Sequence, residues 1–156
     1  TGHESIFTEG RLKVGSPLQT MLIRKLKKEI TNGGDDIILY DAPPGTSCPV
    51  VETISDVDYV ILVTEPTPFG LHDLQIAAEL LQQMNKPFGV VVNKAGLGNE
   101  DVYRFLHTDG IELLGEIPYS KIYAARYSGG NILETIPREI EKIYQQLIDK
   151  LKQKLN

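Results

Sequence analysis

Cysteine is nearly absent from these 156 residues: Cys48 is the only one. No internal disulfide can form, and the chain does not hold the four thiolates of an iron–sulfur cluster. Long apolar runs are missing too, and none approaches the roughly 18 residues of a membrane span. Thr1 to Arg11 are polar and mixed, so no signal peptide is read there. Repeats, low-complexity tracts and linker-like segments are absent. Lys and Arg number 16 against 21 Asp and Glu, a net charge of −5, which argues against general nucleic-acid binding. His3, His72 and His107 lack metal-ligand spacing and read as surface or loop residues. These absences point to a cytoplasmic chain with no membrane span. What is present is ordinary: 41% hydrophobic and 24% charged residues, the make-up of a globular domain. The length fits one domain over 1–156 that buries roughly 68–70% of its unfolded surface. The chain begins at Thr1 without methionine, as a processed chain or a piece of a longer one does.

Apolar runs and turn residues divide the chain. A possible short strand covers Arg11–Val14, between Gly10 and Gly15. Ser16-Pro17 reads as a helix start. Leu18, Leu22, Leu26 and Ile30 then fall on one helical face, which ends at Asn32-Gly33-Gly34. Arg24, Lys25, Lys27 and Lys28 in its later turns read as a solvated basic face. Buried strands are expected at 36–41, 59–64, 88–93 and 111–117. Helices are expected at 50–55, after Gly70 to Met84, at 99–107, at 121–127 and from Pro137 onward. Ile140, Ile143, Leu147, Leu151 and Leu155 make the last helix a stripe that packs on the sheet rather than lying on a membrane. Apolar strands alternating with helices define an α/β fold, a mostly parallel sheet with helices on both faces. Ligands bind such sheets at the carboxyl ends of the strands.

Those ends carry the candidate chemistry. Asp41 closes the first apolar strand. A carboxylate there is the hard oxygen ligand that Mg2+ prefers. Taken alone it reads as a loop cap; with Ala42-Pro43-Pro44-Gly45 after it, it reads as a metal and phosphate site. Gly45 lets a backbone N–H come close to a phosphate, and Pro43 and Pro44 stiffen the loop. Cys48 starts a helix, where a thiolate is favoured, but beside Pro49 it reads as a small packed residue. Thr64 and Glu65 lie near the site as helix-cap or loop hydrogen-bonding groups. Asn93-Lys94-Ala95-Gly96 is similar to the Asn-Lys-x-Asp motif of GTPases, yet Gly96 stands where guanine needs a carboxylate. Asp41 to Gly45 also exceeds the Asp-x-x-Gly spacing by one residue, so adenine is favoured over guanine.

Ile37–Gly45 (Ile-Ile-Leu-Tyr-Asp-Ala-Pro-Pro-Gly) resembles the Walker B and switch II segment of the MinD/ParA/Mrp group of P-loop ATPases. Val-Thr-Glu-Pro at 63–66, Val-Val-Asn-Lys at 91–94 and Gly-Glu-Ile-Pro-Tyr at 115–119 resemble its later strand ends, in the same order. Thr64–Leu74 is closest to the MinD-superfamily branch with an inserted ferredoxin domain. The resemblance runs from about Gly10 to the end. It implies a P-loop NTPase-like fold of the SIMIBI type, with Asp41 on Mg2+, Gly45 in the catalytic switch loop beside Pro43 and Pro44, Asn93 on adenine through its amide, and Pro118 and Tyr119 closing over the base. It also implies ATP as ligand, dimerisation or self-association, and an iron–sulfur or redox partner. One departure is large: no Gly-x-x-x-x-Gly-Lys-[Ser/Thr] occurs. The chain then reads as the C-terminal part of an ATPase domain, incomplete at its N-terminal end. The P-loop, and the ferredoxin insert with any 4Fe-4S cluster, would lie in a missing upstream segment. Whether these residues alone hydrolyse ATP stays open. The alternatives are a non-catalytic scaffold or partner-binding module on the same half-fold, and a related amidotransferase or dethiobiotin-synthase-like enzyme.

Overall fold

The computed structural model describes residues 6–13, 16–30, 37–128 and 136–155. Val14, Gly15, Asn32–Gly34, Asp36, Gly129–Gly130 and His3 lie outside them. The chain forms two compact units, Thr1–Val57 and Asp58–Asn156.

The first unit holds helices α1 (Gln19–Glu29) and α2 (Cys48–Ile54). α1 starts later than Ser16-Pro17 predicts. Leu18 stands at its N-cap without a side-chain cap bond, and the Ser16 hydroxyl reaches only the Leu18 N–H, at 3.4 Å. α2 starts at Cys48, two residues earlier than expected, because Pro49 fits its first turn. Residues 11–13 form no strand. Nor do residues 37–41, against expectation; Leu39 is 83% exposed. Apolar periodicity measures readiness for burial, but a strand exists only where another strand completes its ladder. None pairs with 37–41 among the described residues.

Among the described residues the second unit holds a three-stranded parallel sheet, the last three of the four strands expected in the chain, in the order β1 (Val60–Thr64), β2 (Phe88–Ala95), β3 (Leu113–Pro118). α3 (Pro68–Gln83) connects β1 to β2, and α4 (Asp101–Thr108) connects β2 to β3. α5 (Lys121–Ser128) and α6 (Arg138–Leu155) follow. The parallel register runs Val60 beside Phe88 to Thr64 beside Val92. α3 begins two residues before Gly70 because Thr67 caps it, accepting the Gly70 N–H at 3.0 Å, with Pro68 in the first turn. Val90 and Val92 pack with Leu74 of α3 and Val102 and Leu106 of α4 in one buried cluster. Val91, on the other face by strand alternation, is also buried. α6 packs on β3, as its stripe predicts. Ile140 is buried, and Lys150 Nζ donates to the Leu114 carbonyl at 2.7 Å. Among the described residues no helix is long and apolar enough to cross a membrane.

Candidate functional site

In the first unit Asp41 stands exposed at the entrance of the loop that leads into α2. Pro43 is half-buried, Pro44 exposed, and Gly45 adopts φ +92°, with open space where a Cβ would project. That left-handed residue turns the chain toward Ser47, whose carbonyl accepts the Val50 and Val51 N–H groups at 2.9 and 3.1 Å. Cys48 is exposed, not packed as expected.

Arg24, Lys25 and Lys28 of α1 are exposed, as expected of a solvated basic face, and Lys27 is the exception. The Lys27 side chain is only 10% exposed. Its Nζ donates to the Glu52 carbonyl at 2.7 Å, pairs with Asp56, and lies 5.3 Å from the Tyr40 ring centre. Arg24 pairs with Glu52 at 2.9 Å and holds its carboxyl below the ordinary range. Burial, with the Asp56 charge, pushes the Tyr40 hydroxyl up. Periodicity could not show this, because a long lysine stem reaches a helix 25 residues away in sequence.

In the second unit the carboxyl ends of the strands converge. Asn93 stands opposite Ile117, and Ala95 opposite Pro118, with Lys94 left out of the register between them. Lys94 adopts φ +54°, the irregularity of a bulge. Its N–H donates to Asn93 Oδ1 at 2.9 Å, and its Nζ pairs with Glu65 Oε1 at 2.6 Å. The Tyr119 N–H donates to the Ala95 carbonyl at 3.2 Å, so the Pro118-Tyr119 segment is tied beside Asn93. Asn93 also lines a cleft of about 340 Å3 with Thr64, Glu65, Thr67 and Asp73, and the 84% exposed Phe69 forms part of its wall. The buried Thr64 hydroxyl donates to the Gly70 carbonyl at 2.9 Å, a loop hydrogen bond of the kind expected.

Asn93, Pro118 and Tyr119 are therefore neighbours in one unit, while Asp41, Pro43, Pro44 and Gly45 share one loop in the other. The ion pair of Lys94 with Glu65 is not foreshadowed by a helix-cap or loop role for Glu65 or by the Asn-Lys motif at Lys94. The signal available was the adjacency of each to a strand end, which does not reveal their ion pair. Among the described residues no three His, Cys, Asp or Glu side chains cluster as a metal site. Asp41 fits Mg2+ as a single exposed carboxylate, the ligation in which the ion keeps several waters or phosphate oxygens.

In a parallel α/β sheet ligands bind at the carboxyl ends of the strands, where these polar groups gather. A family model described as the NUBPL iron-transfer P-loop NTPase, ParA, matches residues 9–152, and the chain belongs to that family. It is thus of the MinD/ParA/Mrp type. An uncharacterized protein of Methanocaldococcus jannaschii is 29% identical over 78% of this chain and 42% of its own. The iron-sulfur cluster carrier protein of Pyrococcus horikoshii is 27% identical over 89% of this chain and 52% of its own. The chain spans about half the length of these curated relatives. The MinD cell division protein of Aquifex aeolicus superposes with a TM-score of 0.61 at 21% identity, over 86% of this chain and 59% of that one. It shares the fold.

Proposed function

We propose that this chain is the C-terminal part of a nucleotide-binding ATPase domain. It contributes the Walker B and switch II segment at 37–45 and the adenine side of the site at Asn93, Pro118 and Tyr119. The observation that carries this reading is the tie between Tyr119 and Ala95 beside Asn93 at the strand ends. There a carboxamide offers a donor and an acceptor next to a proline-tyrosine wall. Family membership supports the nucleotide class.

Asp41 would hold Mg2+ with water and phosphate oxygens completing the shell, and Gly45 would let a backbone N–H approach the phosphate. When bound, Mg2+ neutralises phosphate charge. Within this chain, Pro43 and Pro44 limit the loop's shapes, and Asn93 orients the base. The phosphate-cradling loop and its lysine would come from polypeptide outside these residues, since no such pattern occurs in them.

The name of the Pyrococcus relative and the family description support an iron–sulfur role, with the cluster as cargo. Cys48 alone cannot supply four thiolates, so a thiolate-held cluster draws cysteines from outside these residues. Self-association is part of the reading: β1 pairs only with β2 among the described residues, and an unpaired strand edge invites pairing.

The test is a titration of MgATP into the longer polypeptide that carries the phosphate-cradling loop together with these residues, followed by NMR at the Asn93 and Tyr119 amides, with MgGTP as control. Saturable, ATP-selective shifts at both amides support the reading. No shift at either amide at millimolar MgATP rejects it.

A further inference from the structure

We infer that Lys27 is a positioning residue for the Asp41 loop: its ammonium group clasps both flanks of the loop and so sets how well Asp41 meets Mg2+. The inference rests on the metal role of Asp41 proposed above.

The loop has few ties of its own. Residues 37–41 lie in no ladder among the described residues. Residues 41–46 make no main-chain hydrogen bond to another described residue, and all of them but Pro43 are exposed. A loop of this kind stands where its flanking residues are held.

Lys27 holds both flanks. Its side chain is 10% exposed, so partners in the protein take the place of water around its charge. An ammonium group has three N–H donors and no acceptor. Two of them have oxygen partners, the Glu52 carbonyl at 2.7 Å and the Asp56 carboxylate. Both partners follow the loop, one in the last turn of α2 and one just after it. The third donor is left for the face of the Tyr40 ring, whose centre lies 5.3 Å from Nζ. That is within the reach of a cation–π attraction, which strengthens as water is excluded. Tyr40 directly precedes Asp41, and adjoining Cα atoms are about 3.8 Å apart. A half-buried ring held on Lys27 therefore limits where the Asp41 carboxylate stands.

Arg24, on the same helix, supplies the contrast. It pairs with the Glu52 carboxylate at 2.9 Å, but its side chain is 62% exposed. That pair reaches only the flank after the loop, and an ion pair so exposed adds little. Loss of Arg24 loosens α1 against α2 and leaves the Tyr40 ring on its cation. Loss of the Lys27 charge releases the entrance of the loop as well.

The experiment uses the longer polypeptide that carries the phosphate-cradling loop together with these residues. ATP affinity is measured by calorimetry over a Mg2+ series and in EDTA. The Asp41, Gly45 and Ser47 amides are recorded by NMR without ligand. The proteins compared are the wild type, Lys27→Met, Lys27→Arg, Tyr40→Leu, Arg24→Met and Asp41→Asn, with thermal melts to verify folding. Lys27→Met and Tyr40→Leu are expected to shift the three amides and to raise the Mg2+ midpoint about three- to tenfold. Their affinity for ATP in EDTA stays that of the wild type, whereas a packing role alone moves affinity with and without Mg2+ alike. Lys27→Arg, which keeps the charge, recovers part of the midpoint. Arg24→Met keeps the wild-type midpoint. A wild-type midpoint in folded Lys27→Met or Tyr40→Leu overturns the inference, as do equal shifts in Arg24→Met and Lys27→Met. Where Lys27→Met does not fold, Tyr40→Leu decides. A wild-type midpoint in Asp41→Asn removes the metal reading itself, and the inference falls with it.

Discussion

The Pro66 carbonyl stands 1.8 Å from the place a Cβ on Gly98 would occupy, and Gly98 holds φ +102°. The same carbonyl accepts the Asn99 N–H at 3.1 Å. The loop after β1 and the loop after β2 thus touch backbone to backbone, and no side chain fits between them. Gly98→Ala adds both a clash and a strained φ. It is expected to cost about 2–4 kcal/mol, read as a lower urea midpoint by circular dichroism.

Leu74 is 3% exposed at the centre of the cluster formed by α3, α4 and β2. Leu74→Ala leaves a cavity that neighbours on a hydrogen-bonded sheet cannot close. The expected loss is about 2–5 kcal/mol, with the slope of the urea transition unchanged.

Alkaline pH should weaken the second unit. Burial first, then its 2.7 Å hydrogen bond to Glu116, pushes the Tyr103 hydroxyl up to about 12. Burial, with Tyr123, pushes Tyr144 up to about 12 as well. Both lie above the ordinary value of 10.0. The fold therefore binds these protons more tightly than the unfolded chain does. Their contribution is whole below pH 10 and is lost as pH rises toward 12. Tyr103→Phe should flatten part of that decline in urea midpoints measured from pH 9 upward. Glu52 behaves oppositely. Arg24 lowers its pKa, so its contribution is present above the ordinary carboxylate range and fades as pH falls through the lowered value.

Lys27 joins α1 to the Glu52 carbonyl in the last turn of α2. Lys27→Ala removes a charged donor from a nearly buried position. It is expected to cost the first unit about 1–3 kcal/mol, seen as faster hydrogen exchange along α1. Lys27→Arg should recover part of the loss.

Asp41→Asn tests the metal role within the proposed function. Affinity for MgATP should fall about tenfold, while affinity for ATP without Mg2+ stays the same. Calorimetry with and without EDTA separates the two.

Much of the second unit was legible from residue order. The apolar runs at 59–64, 88–93 and 111–117 become the strands Val60–Thr64, Phe88–Ala95 and Leu113–Pro118, and Leu74, Ala78 and Leu81 fall at helical spacing. Burial depends on which face is apolar, and that is written in the chain. Asn93, Pro118 and Tyr119 were readable as strand-end groups for the same reason, and the α/β class follows from the alternation. The remainder depends on partners distant in sequence. Residues 37–41 carry a strand's pattern without a ladder, because a strand needs a neighbour that periodicity does not supply. Spacing alone puts Lys27 on a solvated face, because its partners Glu52, Asp56 and Tyr40 all lie beyond its own helix. The left-handed turn at Lys94, its ion pair with Glu65 and the contact of Gly98 with Pro66 were decided by tertiary structure alone. Each arises where two loops, separate in sequence, are brought to the same end of one parallel sheet.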